Sequence, residues 1–166
     1  EAIEIGHLLE GLGFIWLEEP MHEYKMHRFQ ELCRELTIPV MANEMLMGDI
    51  GISTQWLMQG ATDLLRANAM DVGTTAVLKM AHFAELYDTT VELAGIGGLF
   101  GLLHATLACC IDNNSFYEYY YEEGDGLREE GAQWGMTNAP LVEDGHLTPA
   151  DSPGWGAEWD EDLFQA

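Results

Sequence analysis

An apolar, strand-like run recurs roughly every 25 residues in this chain, each time after a stretch with helical spacing. Few architectures accommodate that alternation. Residues 1–12 carry Ile3, Ile5, Leu8, Leu9 and Leu12 at the spacing of an amphipathic helix, stopped by Gly11 and Gly13. Phe14, Ile15, Trp16 and Leu17 then form a short, continuously apolar run, as expected of a strand buried on both faces, and Pro20 ends it. The unit repeats. Residues 25–36 place Met26, Phe29, Leu32, Cys33 and Leu36 on one helical stripe, and 37–42 read as a strand with Pro39 near its start. Helices are expected over 52–59, 73–87 and 99–110, and strands over 62–67, 89–94 and 115–121. The stripe of the second of these helices is Val77, Met80, Ala81 and Ala84. Five strands alternating with helices imply parallel βαβ units, arranged as an open doubly wound sheet or as a closed barrel. No GxGxxG or GxxxxGK[ST] loop follows any strand, so a nucleotide-binding open sheet has no support. A complete eightfold barrel needs about 250 residues, and this chain has 166.

Charge narrows the possible partners. With 29 acidic against 6 basic residues the formal charge is −23, a field that repels phosphate backbones and anionic bilayers. Neither nucleic acid nor a membrane surface is an expected partner. Most of this charge reads as a solvated acidic face. Three cysteines (Cys33, Cys109, Cys110) without a CxxC pair suit a reducing compartment, each read as a small buried hydrophobe. The first residues show no secretory pattern, and the weakly polar stretch 93–111 is interrupted by glycines and His104. The expectation is a cytoplasmic protein. After residue 121 the composition shifts to Glu, Asp, Gly and Pro, so 122–166 reads as irregular structure with short extended pieces.

In parallel α/β folds the working residues sit at the carboxyl ends of strands. Three of the five ends here carry a carboxylate: Glu18, Glu44 and Glu118. Glu18 shares a strand face with Trp16, and Glu44 with Ala42. Adjacent parallel strands stand about 4.8 Å apart, close enough for Glu18 and Glu44 to converge on one ion. Carboxylate oxygens with water suit Mg²⁺, a hard cation that prefers octahedral oxygen ligation. Ordinary ion pairing satisfies the same residues.

Three strings make the pattern specific: WLEEP at 16–20, PVMANE at 39–44 and QGATD at 59–63. With GTTA at 73–76, DGHLT at 144–148 and PGWG at 153–156, they resemble the enolase superfamily in its mandelate racemase and muconate lactonizing branch. The resemblance runs along nearly the whole chain. It implies a (β/α)8 barrel of which about strands 4 to 8 lie within residues 1–121, with 122–166 returning toward a capping domain not present in this chain. It also implies one Mg²⁺ bound by three carboxylates on consecutive strands, with Glu18 and Glu44 as the second and third. The first ligand, and a base such as a second-strand lysine, are expected before Glu1. The family's shared chemistry is removal of a proton next to a carboxylate, with the metal stabilising the resulting enediolate. Glu118 matches the acid that donates to the developing oxyanion, a role needing a raised pKa.

The chain also departs from the family. Racemase-like members carry an acid where Asn68 stands and a histidine after the next strand, where this chain has Ala94, Gly95 and Ile96. Muconate-type members place a lysine at the Asn68 position. Arg66, two residues earlier and on the same face, suits a substrate carboxylate or hydroxyl, and Asn68 and Arg66 are expected beside Glu118 as catalytic residues suited to a polar, hydroxylated substrate. Asp71 falls in a loop or first helical turn, where capping is an ordinary role. His104 reads as a packed, hydrogen-bonded core residue, and His22 as a loop residue near the strand ends. The function expected is Mg²⁺-dependent proton abstraction from a hydroxy or sugar acid, as a dehydratase. The alternatives are a racemase or cycloisomerase of the same superfamily, a catalytically reduced metal- or ligand-binding barrel, or an acidic structural domain whose carboxylates merely pair. A small-molecule carboxylate is the expected substrate, and a homo-oligomer the expected state of the intact protein.

Overall fold

The computed structural model describes residues 1–46, 48–119, 135–138 and 141–164. They fall into two units, residues 1–92 with 113–115, and residues 93–112 with 116–166.

In the first unit, helix and strand alternate as the periodicity requires: α1 (Ala2–Leu12), β1 (Leu17–Glu18), α2 (Met26–Glu35), β2 (Val40–Ala42), α3 (Ile50–Met58), β3 (Leu64–Ala67), the single turn α4 (Ala69–Val72), α5 (Thr74–Glu85) and β4 (Val91–Leu93). The strands lie in one sheet in chain order, β1-β2-β3-β4. β1 pairs parallel to β2, with Leu17 opposite Val40, and β2 parallel to β3, with Met41 opposite Leu64. Sequential parallel strands with a helix after each make the wall of a βα barrel, not the reversed order of a doubly wound sheet. Val40, Met41 and Ala42 are wholly buried, as a strand covered on both faces demands.

The helical stripes pack as expected. Phe29 and Leu32 of α2 are buried, and the Phe29 ring meets Trp56 of α3 edge-on at 5.2 Å between centroids. Val77, Met80, Ala81 and Ala84 of α5 are all buried. Side chains then fix the register. Glu10 of α1 accepts hydrogen bonds from Thr37 N–H, from Thr37 Oγ1 at 2.9 Å and from Ile38 N–H at 3.0 Å. Asp63 accepts from Val40 N–H at 2.9 Å. The buried Glu92 accepts from Ser115 N–H at 3.1 Å and from Asn114 Nδ2 at 3.2 Å.

The first strand departs from expectation. Phe14 and Ile15 are each 57% exposed, and pairing is confined to Leu17 and Glu18. The cause is register. β1 is an edge strand whose hydrogen bonds to its neighbour start only where Leu17 N–H reaches Pro39 O at 2.8 Å, so nothing draws residues 14 and 15 into the sheet.

In the second unit α6 (Gly98–Ala108) buries most of its small-residue surface, and Leu93 forms a parallel bridge with Tyr117. The expected strand over 115–121 is represented by that bridge, and residues 120 and 121 lie outside the described residues. So does the expected domain boundary at 121–122. His104 is buried with Nδ1 2.9 Å from Ala94 O, the packed role expected of it. Cys109 and Cys110 are exposed, not buried: they follow the last turn of α6 and point away from its packed side. Cys33, in the first unit, is half-buried, and burial pushes its thiol up to about 12. The tail contributes an antiparallel hairpin, β5 (Leu141–Glu143) with β6 (His146–Thr148). Its two-residue turn puts Asp144 (φ 48°) and Gly145 (φ 75°) in the left-handed region, as an Asp-Gly hairpin turn requires. A short helix, Glu161–Phe164, follows. Among the described residues no helix is long and apolar enough to cross a membrane.

Candidate functional site

The carboxyl ends of β1, β2 and β3 bring three of the expected residues together. Arg66, inside β3, is only 3% exposed. A guanidinium there requires compensating charge, because an uncompensated buried ion costs several kcal/mol. Two carboxylates supply it. Arg66 Nη2 lies 3.3 Å from Glu18 Oε1, and Arg66 Nε 3.9 Å from Glu44 Oε1. The glutamate side chains retain 30% and 34% exposure, so the arginine forms the floor and the carboxylates keep a face toward solvent.

Glu18 closes β1 and accepts a weak bond from Trp16 Nε1 at 3.4 Å, the shared face expected of alternating residues. Glu44 reaches the site differently. Strand alternation does not carry it there, because Asn43 adopts φ 83° and the chain leaves the extended conformation one residue beyond β2. The neighbouring Glu19, at φ 40°, stabilises that bend: its Oε1 accepts from Glu44 N–H at 2.6 Å and from Met45 N–H at 3.4 Å. Sequence reasoning used Glu19 only as part of a string, yet it is the group that positions Glu44.

Asn68 does not open toward the carboxylates through its side-chain carbonyl. Its Oδ1 caps α4, accepting from Met70 N–H at 2.9 Å, and Asp71 sits in the first turn of that helix without being its cap. Glu118 belongs to the second unit, where its Oε2 accepts from Gly95 N–H at 2.6 Å.

Beside the strand ends, the loops after β1 and β2 enclose a cleft of about 480 Å³ whose lining includes Glu19, His22 and Glu23. His22 stacks on Tyr24 with centroids 6.1 Å apart. Glu23 is 6% exposed. Burial foremost, and then the adjoining Glu19 carboxylate, push its carboxyl up to about 8. Nothing in the periodicity marked Glu23; it reads in sequence as one acidic loop residue among many.

The donor chemistry of Glu18 and Glu44, hard carboxylate oxygens that both approach the Arg66 guanidinium, fits a hard divalent cation. The number is short: among the described residues no three His, Cys, Asp or Glu side chains come together to hold a metal.

Parallel strands with charged groups gathered at their carboxyl ends place the chain among barrel-type α/β scaffolds. Residues 1–163 match the family described as enolase C-terminal domain-like, in its mandelate racemase and muconate lactonizing branch, and the chain belongs to that family. A D-mannonate dehydratase of Caulobacter vibrioides is 28% identical over 172 residues, covering 98% of this chain and 40% of the relative. An arabinonate dehydratase of Saccharolobus solfataricus is 25% identical over 174 residues, covering 99% of this chain and 43% of the relative. The crystal structure of a D-glucarate dehydratase from Agrobacterium tumefaciens complexed with magnesium superposes with a TM-score of 0.83 at 28% identity, over 99% of this chain and 42% of that one. The chain thus spans about two fifths of the length of the relatives it matches.

Proposed function

We propose that Glu18 and Glu44 supply two ligands of a Mg²⁺ centre in an enzyme that removes the proton alpha to the carboxylate of a hydroxy or sugar acid, in the direction of dehydration. The observation that carries this reading is that two carboxylates, each about a third exposed, lie 3.3 and 3.9 Å from the guanidinium of the buried Arg66. The substrate class proposed is that of the dehydratase relatives, whose similarity supports it. Bound there, Mg²⁺ would supply electrostatic stabilisation of the charge that develops on the substrate carboxylate. Arg66 presents opposite charge to the two glutamates and orients them. Glu19 fixes the backbone that presents Glu44. Glu118, oriented by the Gly95 N–H, would serve as the acid toward the developing oxyanion. Asn68 holds the turn directly after Arg66 and, with Arg66, suits a hydroxylated substrate. The remaining ligand and the base would come from outside these 166 residues. In the same reading 122–166 returns toward a capping domain, and the intact protein is a cytoplasmic homo-oligomer. The test is Mg²⁺-dependent exchange of the alpha proton of sugar acids in D₂O by the intact protein. Exchange that requires the metal is expected; its absence with every sugar acid sinks the reading.

A second reading has an observation of its own. The same distances describe a buried cation neutralised by two anions, in which Glu18 and Glu44 serve Arg66 alone. Glu44→Gln separates the two, since only the first reading ties Mg²⁺ affinity to this side chain.

A further inference from the structure

The cleft between the β1–α2 and β2–α3 loops contains a feature the metal centre does not use. Both carboxyl oxygens of Glu23 are buried, and among the described residues neither meets a hydrogen-bond partner at good geometry, the Glu19 carboxyl and the Asn43 backbone being the polar groups beside them. A buried polar group left this way is costly and rare in native structures. Glu23 lines the cleft, so a rotation of its side chain would bring the carboxyl to a molecule held there.

We propose that this cleft binds a hydroxyl-bearing carbon chain of the substrate, with the Glu23 carboxyl as the hydrogen-bonding group that recognises a hydroxyl distant from the reacting carbon. The inference rests on the reading that the adjoining centre handles a hydroxy or sugar acid. The chemistry of the lining selects this class of ligand. A second carboxylate or a phosphate is disfavoured, because Glu19 and Glu23 already share the cleft and Glu44 adjoins it. A metal ion is disfavoured too, since no three ligating side chains among the described residues come together. A hydroxyl both donates and accepts, so it satisfies a carboxyl group in either protonation state. Met21, Met45 and Leu46 supply apolar walls for the C–H faces of a carbon chain, the usual division of labour in a small-molecule site. Glu19 belongs to both places: it lines the cleft, and it holds the Glu44 backbone at 2.6 Å. A substrate whose carboxylate sits at the strand ends would therefore extend its far hydroxyls into the cleft.

The test is titration calorimetry on the intact, Mg²⁺-loaded protein with D-mannonate, D-galactonate, D-gluconate and 2-hydroxyhexanoate, the last keeping chain length and C2 hydroxyl but lacking the others. At least one hexonate is expected to bind. Glu23→Leu should weaken that hexonate about 10- to 100-fold while leaving 2-hydroxyhexanoate within about twofold. Glu23→Gln, which keeps a donor and an acceptor, should stay within about threefold on both. Equal losses for both probes, no loss for the hexonate, or no hexonate binding by the native protein overturns the proposal. Should Glu23→Leu not fold, Met45→Trp decides: its exposed side chain can fill the cleft, and unchanged hexonate affinity contradicts the proposal. Mg²⁺ titrations run alongside separate the two claims. Retained metal binding without a Glu23 effect sinks only this inference, whereas loss of metal binding by native protein sinks the centre.

Discussion

Asn68 shows how one side chain can satisfy a local rule where a catalytic role was expected. Its Oδ1 bonds the Met70 N–H, and the extended backbone at Asn68 gives way to helix at the next residue. Asn68→Ala should therefore destabilise the intact protein by about 1 kcal/mol, and Asn68→Asp, which keeps the cap, should restore most of it. Denaturant midpoints check this; a silent alanine variant would show that the cap contributes nothing. Arg66, Glu18 and Glu44 were named from sequence because carboxylates and an arginine at strand ends must be solvated, paired or liganded. That Glu18 and Glu44 would come near one another was legible; that Arg66 would be the group both approach, and the route Glu44 takes, were not. The left-handed Asn43 and the Glu19 side chain that supports it are set by backbone geometry, which apolar periodicity does not encode. Glu23 escaped notice for a related reason, since burial of a loop residue depends on which loops close over it.

At the scale of elements, stripes and strands followed from spacing alone, because 3.6-residue and two-residue periods decide which faces can be buried. Phe29 is the strongest case: it packs against Trp56 with no exposure. Phe29→Ala should cost about 3–5 kcal/mol, read as a fall in the denaturant midpoint with unchanged slope. A change below about 1 kcal/mol would mean the α2–α3 contact relaxes around the cavity. The place of α1 depends on the packing of Ile3, Leu9 and the buried Gly6 and, beside it, on one carboxylate. Glu10 is held down to about 2, first by His7 and then by the Ile38 and Thr37 backbone N–H groups. A depressed carboxyl stabilises the state that keeps it ionised. Its contribution is therefore complete above the ordinary value of 4.5 and is lost as pH falls toward about 2. Amide exchange in α1 should quicken across that window in the native protein, and Glu10→Gln should show the fast exchange already at neutral pH. Equal α1 protection in the two proteins at pH 7 would remove Glu10 from this role. The edge of the sheet is where spacing misled: a four-residue apolar run became a two-residue strand, because pairing begins at the register set by Pro39 and not where hydrophobicity begins.

At the scale of the molecule, the chain matches only part of each relative. It spans about two fifths of its relatives' length, and its first helix and the segment before β1 expose Ile5, Leu8, Leu12, Phe14 and Ile15. An apolar surface of this kind beside an edge strand favours association. The 166 residues expressed alone are expected to aggregate or to bind dyes specific for exposed apolar surface, despite a charge of −23. A monomer with a single cooperative melting transition would contradict that. The tail reads in sequence as irregular structure with short extended pieces, and its described part contains two of them, joined at Asp144 and Gly145. The charge itself located nothing, since 29 acidic residues contain the few that converge.

Whether Glu18 and Glu44 are metal ligands or only the counter-ions of Arg66 is settled most directly by calorimetric titration of Mg²⁺ into the intact protein and its Glu44→Gln variant. The amide keeps the shape of the side chain and can still approach Arg66, but it removes the anionic oxygen a hard cation needs. Binding by the native protein with an affinity loss of tenfold or more in the variant, about 1.4 kcal/mol or greater, is the expected result. Equal Mg²⁺ affinity in the two proteins would contradict it and leave the carboxylates as partners of Arg66 alone.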